Sequence, residues 1–405
     1  MADLDHLKPL LDLGEIFPGQ VVDPSVVLPE SDKFKLSLVF DPSLNAVKLA
    51  DAPAYVNNVA NAPLASELQA VVTDVLKRAQ LNSGDIWLDV ACNDGTLLQA
   101  VPSDIVKLGL DYDDTFLEQS KKIATVATGK LGLDTFKRTE YTEKVKVITC
   151  INAFQRESDP VKLIQDFEQI LDQNGLLVLQ VPYAPLQVQQ LAYDLISPDQ
   201  VVYYGVLELA LLLMQNNFML VDADIVTDNQ GSIRLYAVRS NAKPSSYGTD
   251  LLRQIAYWKT DSIMNMEKTY CDLSNTALWT EYGRRIKSTR ADVEKFFRDC
   301  KTRGSTVYAL GSSNRAAQTL QILNITKDQI VSLGDTAGVV GKQTVGTDIP
   351  VVDVKSVLNN RPDFIIALEW YNLQATLKTC ADYLDQGGTL VVLQPELQLI
   401  TKEDL

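Results

Sequence analysis

Histidine is nearly missing from this sequence: His6 is the only one in 405 residues. Imidazole is the usual side-chain base near neutral pH and a frequent zinc ligand, so histidine-based catalysis and metal binding are excluded from almost the whole chain. Cysteine is sparse as well. Cys92, Cys150, Cys271, Cys300 and Cys380 are scattered, without close pairs and odd in number, the pattern of reduced thiols and not of a disulfide framework. Cations are in deficit, with 37 Lys and Arg against 52 Asp and Glu and a formal net charge of -15. A surface that tracks a nucleic-acid backbone needs clustered Lys and Arg, so nucleic acid is not an expected partner.

Long apolar runs are lacking too. The longest, from Gly205 to Met214, is interrupted by Glu208 and falls short of the roughly 20 residues that cross a bilayer. The opening MADLDHLKPLLDLGE alternates charges with leucines and has no basic region followed by an apolar core. The closing Lys402 to Leu405 resembles a retention tail, which has no use without an entry signal. A cytoplasmic protein with no membrane contact is expected.

What the chain does have is apolar material, 46% of its residues, enough for two sizeable cores and hence two or three domains. Residues 1–60 are rich in Pro, Asp and Val with short alternating runs such as FKLSLVF, and read as a small β-rich module. From Ala65 to Ala79, Leu68, Val71, Val72, Val75 and Leu76 recur at helical spacing. DIWLDVA, VKLGLD, VKVITCI and GLLVLQV then alternate with helical patterns, including DDTFLEQSKKIA and PVKLIQDFEQIL, which implies a doubly wound parallel sheet over 61–242. FMLVDADIVTD and SIRLYAVRS close its edge as an antiparallel hairpin. Residues 243–300 are polar and helical, with Trp258, Met264, Met266 and Trp279 placed to pack between domains. A second Rossmann-like βα series fills 301–405.

The first strand-turn-helix, LDVACNDGTLL, carries the clearest chemistry. The strand ends at Asp89 and Val90, and the turn Ala91-Cys92-Asn93-Asp94-Gly95 is small enough for a ligand to approach the backbone. The second strand ends in Asp111 about twenty residues later, where a carboxylate accepts ribose hydroxyls. The turn lacks the three glycines that cradle a pyrophosphate, which favours S-adenosylmethionine over a nicotinamide dinucleotide. A chance strand-end Asp beside a buried, packing Cys92 is the bland alternative.

With these residues, the chain resembles the three-domain nucleotide-sugar C-methyltransferases, which join an N-terminal zinc module, a class I S-adenosylmethionine-dependent methyltransferase domain and a C-terminal α/β domain. LDLGE from Leu11, LDVACNDGTLL, VPYAPL from Val181, GSIRLY from Gly231, GKQTVGTDIPVV from Gly341 and IALEWYN from Ile366 carry the resemblance in order. It implies a cofactor site at Asp89, Ala91, Asn93, Asp94, Gly95 and Asp111. It also implies acceptor contacts from Tyr183, Asn229, Lys342 and the turn Ser312-Ser313-Asn314-Arg315, with a nucleotide-linked sugar as partner. In that turn two readings stay open: backbone amides and Arg315 on a phosphate, or an ordinary helix cap by Ser312 or Ser313. Trp370 reads as packing.

The departures from the family pattern fall on its chemical groups. No cysteine stands in MADLDHLKPL, and FDPSLNAVKL places Asp41 and Leu44 where the second zinc pair belongs, so zinc is not expected. The family segment F-D-x-I-Y-H-E-H-x-x-Y-F reads YDLISPDQVVYY here, with Ser197 for Tyr, Pro198 for His, Asp199 for Glu and Gln200 for His, while Tyr203 is kept. Asn229 stands for a third histidine. Methylating carbon requires removal of a proton next to a keto group, which an amide cannot do. Asp199 and Tyr203 are the remaining catalytic candidates, and Asp199 serves only if burial raises its pKa. Two functions follow: a methyltransferase-like protein of altered chemistry acting on a small acceptor, or a non-catalytic structural protein that uses protein partners.

Overall fold

The computed structural model describes residues 9–51, 65–227, 231–243, 247–336 and 338–405. The N-terminal strands are β1 (Leu11–Ile16), β2 (Val21–Val22), β3 (Phe34–Asp41) and β4 (Ala46–Leu49). The central series runs β5 (Ile86–Val90), β6 (Val106–Asp111), β7 (Thr125–Thr128), β8 (Val145–Ile151), β9 (Leu171–Pro182), β10 (Val202–Tyr203), β11 (Phe218–Val226) and β12 (Ser232–Arg239). The last series runs β13 (Val307–Leu310), β14 (Leu333–Asp335), β15 (Gln343–Thr344), β16 (Val351–Asp353), β17 (Phe364–Ala367), β18 (Thr389–Val392) and β19 (Gln398–Ile400).

The central sheet has seven strands in the order β11-β12-β9-β8-β5-β6-β7. β5 through β9 are parallel, and β12 runs antiparallel between β9 and β11. Parallel strands need both faces covered, and β5 meets that demand with every residue buried, down to Trp87 and Leu88 at 0% exposure. The chain leaves β5 toward β6 on one side and reaches β8 on the other, so the carboxyl end of β5 is the switch point at which a doubly wound sheet opens a crevice. A second doubly wound sheet, β16-β14-β13-β17-β18-β19, forms the C-terminal unit.

The N-terminal strands do not stand alone. β10, from the segment after the central β9, completes their sheet in the order β1-β3-β4-β10, and β2 pairs with β15 of the C-terminal series. Leu36, Leu38, Val47 and Leu49 pack there with Tyr203, Trp279 and residues of the C-terminal sheet in one continuous core. Two helices, Asp250–Tyr270 and Thr276–Arg303, join the two large sheets. Trp279 is buried between them and its neighbours and Met264 packs against the central core, whereas Trp258 and Met266 face outward. The outward placement corrects the expectation that all four pack between domains. Other corrections are local: the helix in DDTFLEQSKKIA covers only Leu117–Ser120, and Leu76 lies on the exposed side of Ala65–Arg78, whose buried face is Val71, Val72 and Val75.

Candidate functional site

The crevice at the end of β5 is built around a buried carboxylate. In register, Asp89 lies between Gly109 of β6 and Thr149 of β8. The Trp87 indole donates to the Thr149 hydroxyl at 3.1 Å, and that hydroxyl donates to Asp89 Oδ1 at 2.7 Å. Burial, with Asp111 nearby, pushes the Asp89 carboxyl up to about 7 against the Thr149 bond that lowers it. The following turn is left-handed at Ala91, Asn93 and Gly95. Gly109 makes room for it, since a Cβ there would lie 2.6 Å from Cys92 Sγ.

Asp111 pins this turn. Its Oδ2 accepts the Asn93 amide and its Oδ1 the Tyr112 amide, both at 2.7 Å, while burial raises its pKa. Asp94 instead accepts from the amide and hydroxyl of Thr96 at the start of the next helix. The Tyr112 hydroxyl donates to Glu157 at 2.5 Å and ties the β6 side of the crevice to the β8 side.

A cavity of about 360 Å³ adjoins this crevice at the ends of β8 and β9, lined by Asn152, Gln155, Arg156, Pro182, Asp199, Asn314, Arg315 and the Phe17 segment. It lies where the N-terminal, central and C-terminal units meet. Four polar atoms on its walls are buried without a hydrogen-bond partner among the described residues: Asn152 Oδ1, Gln155 Oε1, Arg156 Nε and Arg315 Nη1. Leaving such an atom unpaired costs about 1–3 kcal/mol, so these four are a local cost of the packing around the cavity.

Asp199, Asn314 and Arg315 therefore line one cavity, whereas the acceptor and catalytic candidates Tyr183, Tyr203 and Lys342 are not among its lining residues. Tyr203 is fully buried away from the cavity, its ring edge-on to Trp279 at 6.2 Å. Tyr183 is buried with its hydroxyl toward Glu267. Lys342 is exposed on the loop before β15. Asn229 lies outside the described residues. At the C-terminal turn the cap reading fits the geometry: Ser313 Oγ accepts the Ala316 amide, and the Ser312 amide and hydroxyl both go to Asp335. Arg315 does not stand free for a phosphate, because its Nε donates to Asp194 Oδ2 at 2.7 Å and its guanidinium stacks on Tyr371. Gln200 is buried in a reciprocal amide pair with Gln187, at 3.1 and 3.3 Å.

Sequence reasoning missed Asn152, Gln155 and Arg156. The available signal was their position just past β8, beside the switch point, where Asn152 adopts a positive φ. Among the described residues no group of three or more His, Cys, Asp or Glu side chains is placed to hold a metal ion, and no helix is long and apolar enough to cross a membrane.

Residues 64–223 match the family described as methyltransferase domain, and residues 229–395 match the C-methyltransferase C-terminal domain. The chain thus carries a methyltransferase domain followed by a C-methyltransferase C-terminal domain. Its similarity to the C-methyltransferase NovU of Streptomyces niveus is 21% identity over 344 residues, 83% of this chain and 78% of that protein. Among solved structures, a methyltransferase from Haloferax volcanii, in complex with the Trm112 methyltransferase activator, is 14% identical over 43% of this chain and 93% of that one, with a TM-score of 0.35. Magnesium protoporphyrin IX methyltransferase from Synechocystis, solved with bound SAM, is 16% identical over 44% of this chain and 78% of that one, with a TM-score of 0.31. In this C-methyltransferase relative, the segment Ser197 to Gln200 brings a carboxylate to the cavity wall and locks an amide beside it.

Proposed function

We propose that the chain binds S-adenosylmethionine across the ends of β5 and β6 and a small, hydroxyl-rich acceptor in the adjoining cavity, without an imidazole base to drive sugar C-methylation. The observation that carries this reading is the pair of buried strand-end carboxylates, Asp89 and Asp111, around a left-handed turn, with a cavity lined by polar side chains beside it.

The residues fit the cofactor. Asp89 is a dry carboxylate whose hydrogen bond comes from a neutral hydroxyl, and a cationic ligand offsets the burial that raises its pKa. Asp111 accepts the Asn93, Tyr112 and Asp113 amides, and of the roughly four lone-pair sites on its two oxygens one remains for a ribose hydroxyl. The left-handed turn brings the backbone close enough for contact. When bound, S-adenosylmethionine supplies an electrophilic methyl group.

The cavity's own groups define the acceptor. Asn152, Gln155, Arg156 and Asn314 line it, a set of amide and guanidinium groups suited to sugar hydroxyls, because each hydroxyl both donates and accepts. A cavity of about 360 Å³ holds a small molecule of that class. Gln200 cannot take a proton, and of the two carboxylates in the lining Asp194 is held by Arg315, Trp370 and Gln394, which leaves Asp199 as the candidate base. The Gln187–Gln200 pair favours the second reading, a non-catalytic assembly protein, because it fills a catalytic position with a structural contact.

The test is methyl transfer from labelled S-adenosylmethionine to a panel of keto nucleotide sugars and free sugars. No C-methylated product is expected. Turnover that vanishes in Asp199→Asn overturns this and makes Asp199 the base.

A further inference from the structure

The helix Asp250–Tyr270 turns one face to the central sheet and leaves a second apolar face that no described residue covers. Ala256, Thr260 and Glu267 are its buried positions, and Lys259 bridges to Asp222 and Asp224 of β11. On the opposite side Leu251, Ile255, Trp258 and Met266 form a stripe at helical spacing, exposed by 66%, 55%, 68% and 38%. A tryptophan two-thirds exposed inside such a stripe is unusual for a surface that meets only water. The positions between, Ser262 and Thr269, are uncharged.

The charges beside the stripe identify the partner. Asp250 in the first turn and Lys268 in the last lie on the same flank, with Tyr257 and Asp261 between them, all by the 100° step of the helix. When the helix is laid antiparallel against a copy of itself, one register sets Asp250 opposite Lys268 of the copy and Tyr257 opposite Asp261, twice each by symmetry. The same register places Leu251 near Met266 of the copy and brings the two Trp258 rings to the twofold axis. Self-complementarity of this kind is what an isologous interface requires. Within one chain the two end charges, themselves exposed, already have half-buried partners, Arg253 for Asp250 and Asp272 for Lys268, which a second copy joins without breaking the helix.

We propose that this face is a docking surface for a second copy of the chain, joined antiparallel along Asp250–Tyr270. The interface is independent of the crevice and cavity, so it stands or falls apart from the function proposed above.

Sedimentation equilibrium of the full chain, over a range of concentration, tests it. The expected mass is twice 44.8 kDa at micromolar concentration. Trp258→Glu should give a folded monomer with the parent's far-ultraviolet circular dichroism, because the side chain is exposed within one chain. Asp250→Lys should weaken association roughly tenfold by turning two attractions into repulsions, and Asp250→Lys with Lys268→Asp should restore it. A monomeric parent chain overturns the proposal, as does a dimer indifferent to Trp258→Glu. A dimer lost in Asp250→Lys and not recovered by the double exchange overturns the antiparallel register.

Discussion

Asp194 and Arg315 meet across the boundary between the central and C-terminal units: Arg315 Nε donates to Asp194 Oδ2 at 2.7 Å, both side chains buried. Trp370 Nε1 donates to the same oxygen at 3.2 Å, and Gln394 Nε2 to Oδ1 at 3.0 Å. One carboxylate of the methyltransferase domain is thus held by three side chains from the C-terminal domain, and the cavity wall depends on their alignment.

Removing one partner of a buried pair strands the other charge. Asp194→Ala should therefore cost about 3–5 kcal/mol of stability. The pair Asp194→Leu with Arg315→Met should recover most of that loss, since it leaves no charge unpaired. Denaturant unfolding of both variants measures the difference, and an Asp194→Ala chain as stable as the parent contradicts the role.

Glu208 gives stability a pH dependence. It sits at the start of the helix Val206–Gln215 and accepts the Gly205 amide at 2.9 Å, and Glu267 caps the same turn through the amides of Val206 and Leu207. Burial, with Glu267 alongside, pushes the Glu208 carboxyl from 4.5 up to about 7. A carboxyl raised on folding contributes stability that is full below its unfolded pKa and is lost as pH rises through its folded value. The chain should accordingly weaken between pH 4.5 and about 7, by an amount on the order of 3 kcal/mol from this group. Glu208→Gln keeps the amide contact and should flatten that part of the curve. Thermal melts at pH 5 and 8 check it, and equal slopes in parent and variant count against it.

Gly109 is required by its neighbour more than by its own backbone. Because a Cβ there falls 2.6 Å from Cys92 Sγ, Gly109→Ala should displace the Ala91 to Gly95 turn, costing about 1–3 kcal/mol. Adding Cys92→Ala should return most of the stability. Melting temperatures of the single and double variants decide the matter, and a neutral single variant rejects the packing.

The two βα series were legible because buried parallel strands and their crossover helices leave runs long enough to count, as in VKVITCI and GLLVLQV of the first. The turn from Asp89 to Gly95 was legible for a related reason: small residues in a short, contiguous stretch between a strand and a helix mark a tight turn, here left-handed at Ala91, Asn93 and Gly95. The pairing of β10 with β4 was not, since two residues, Val202 and Tyr203, carry no periodicity. Tyr203 looked catalytic by its place in a motif, yet its surroundings come from the N-terminal sheet and Trp279, which only folding brings near. The cavity was hidden for the same reason, as Asn152, Asp199 and Arg315 are far apart in sequence. Arg315 was ambiguous because a local reading cannot reveal Asp194, a partner supplied by a different domain.

Asp89 holds the account together, and calorimetric titration with S-adenosylmethionine at pH 6 and pH 8 tests it most directly. A carboxyl raised from 3.8 to about 7 is largely protonated at pH 6 and must lose its proton to face a cation. The account predicts one site, proton release at pH 6 seen as a buffer-dependent heat, and tighter binding at pH 8. Asp89→Asn should abolish the proton release and weaken binding at pH 8 about tenfold or more, the loss of one charge-assisted contact. No binding by the parent chain, or binding indifferent to both pH and Asp89→Asn, would contradict it.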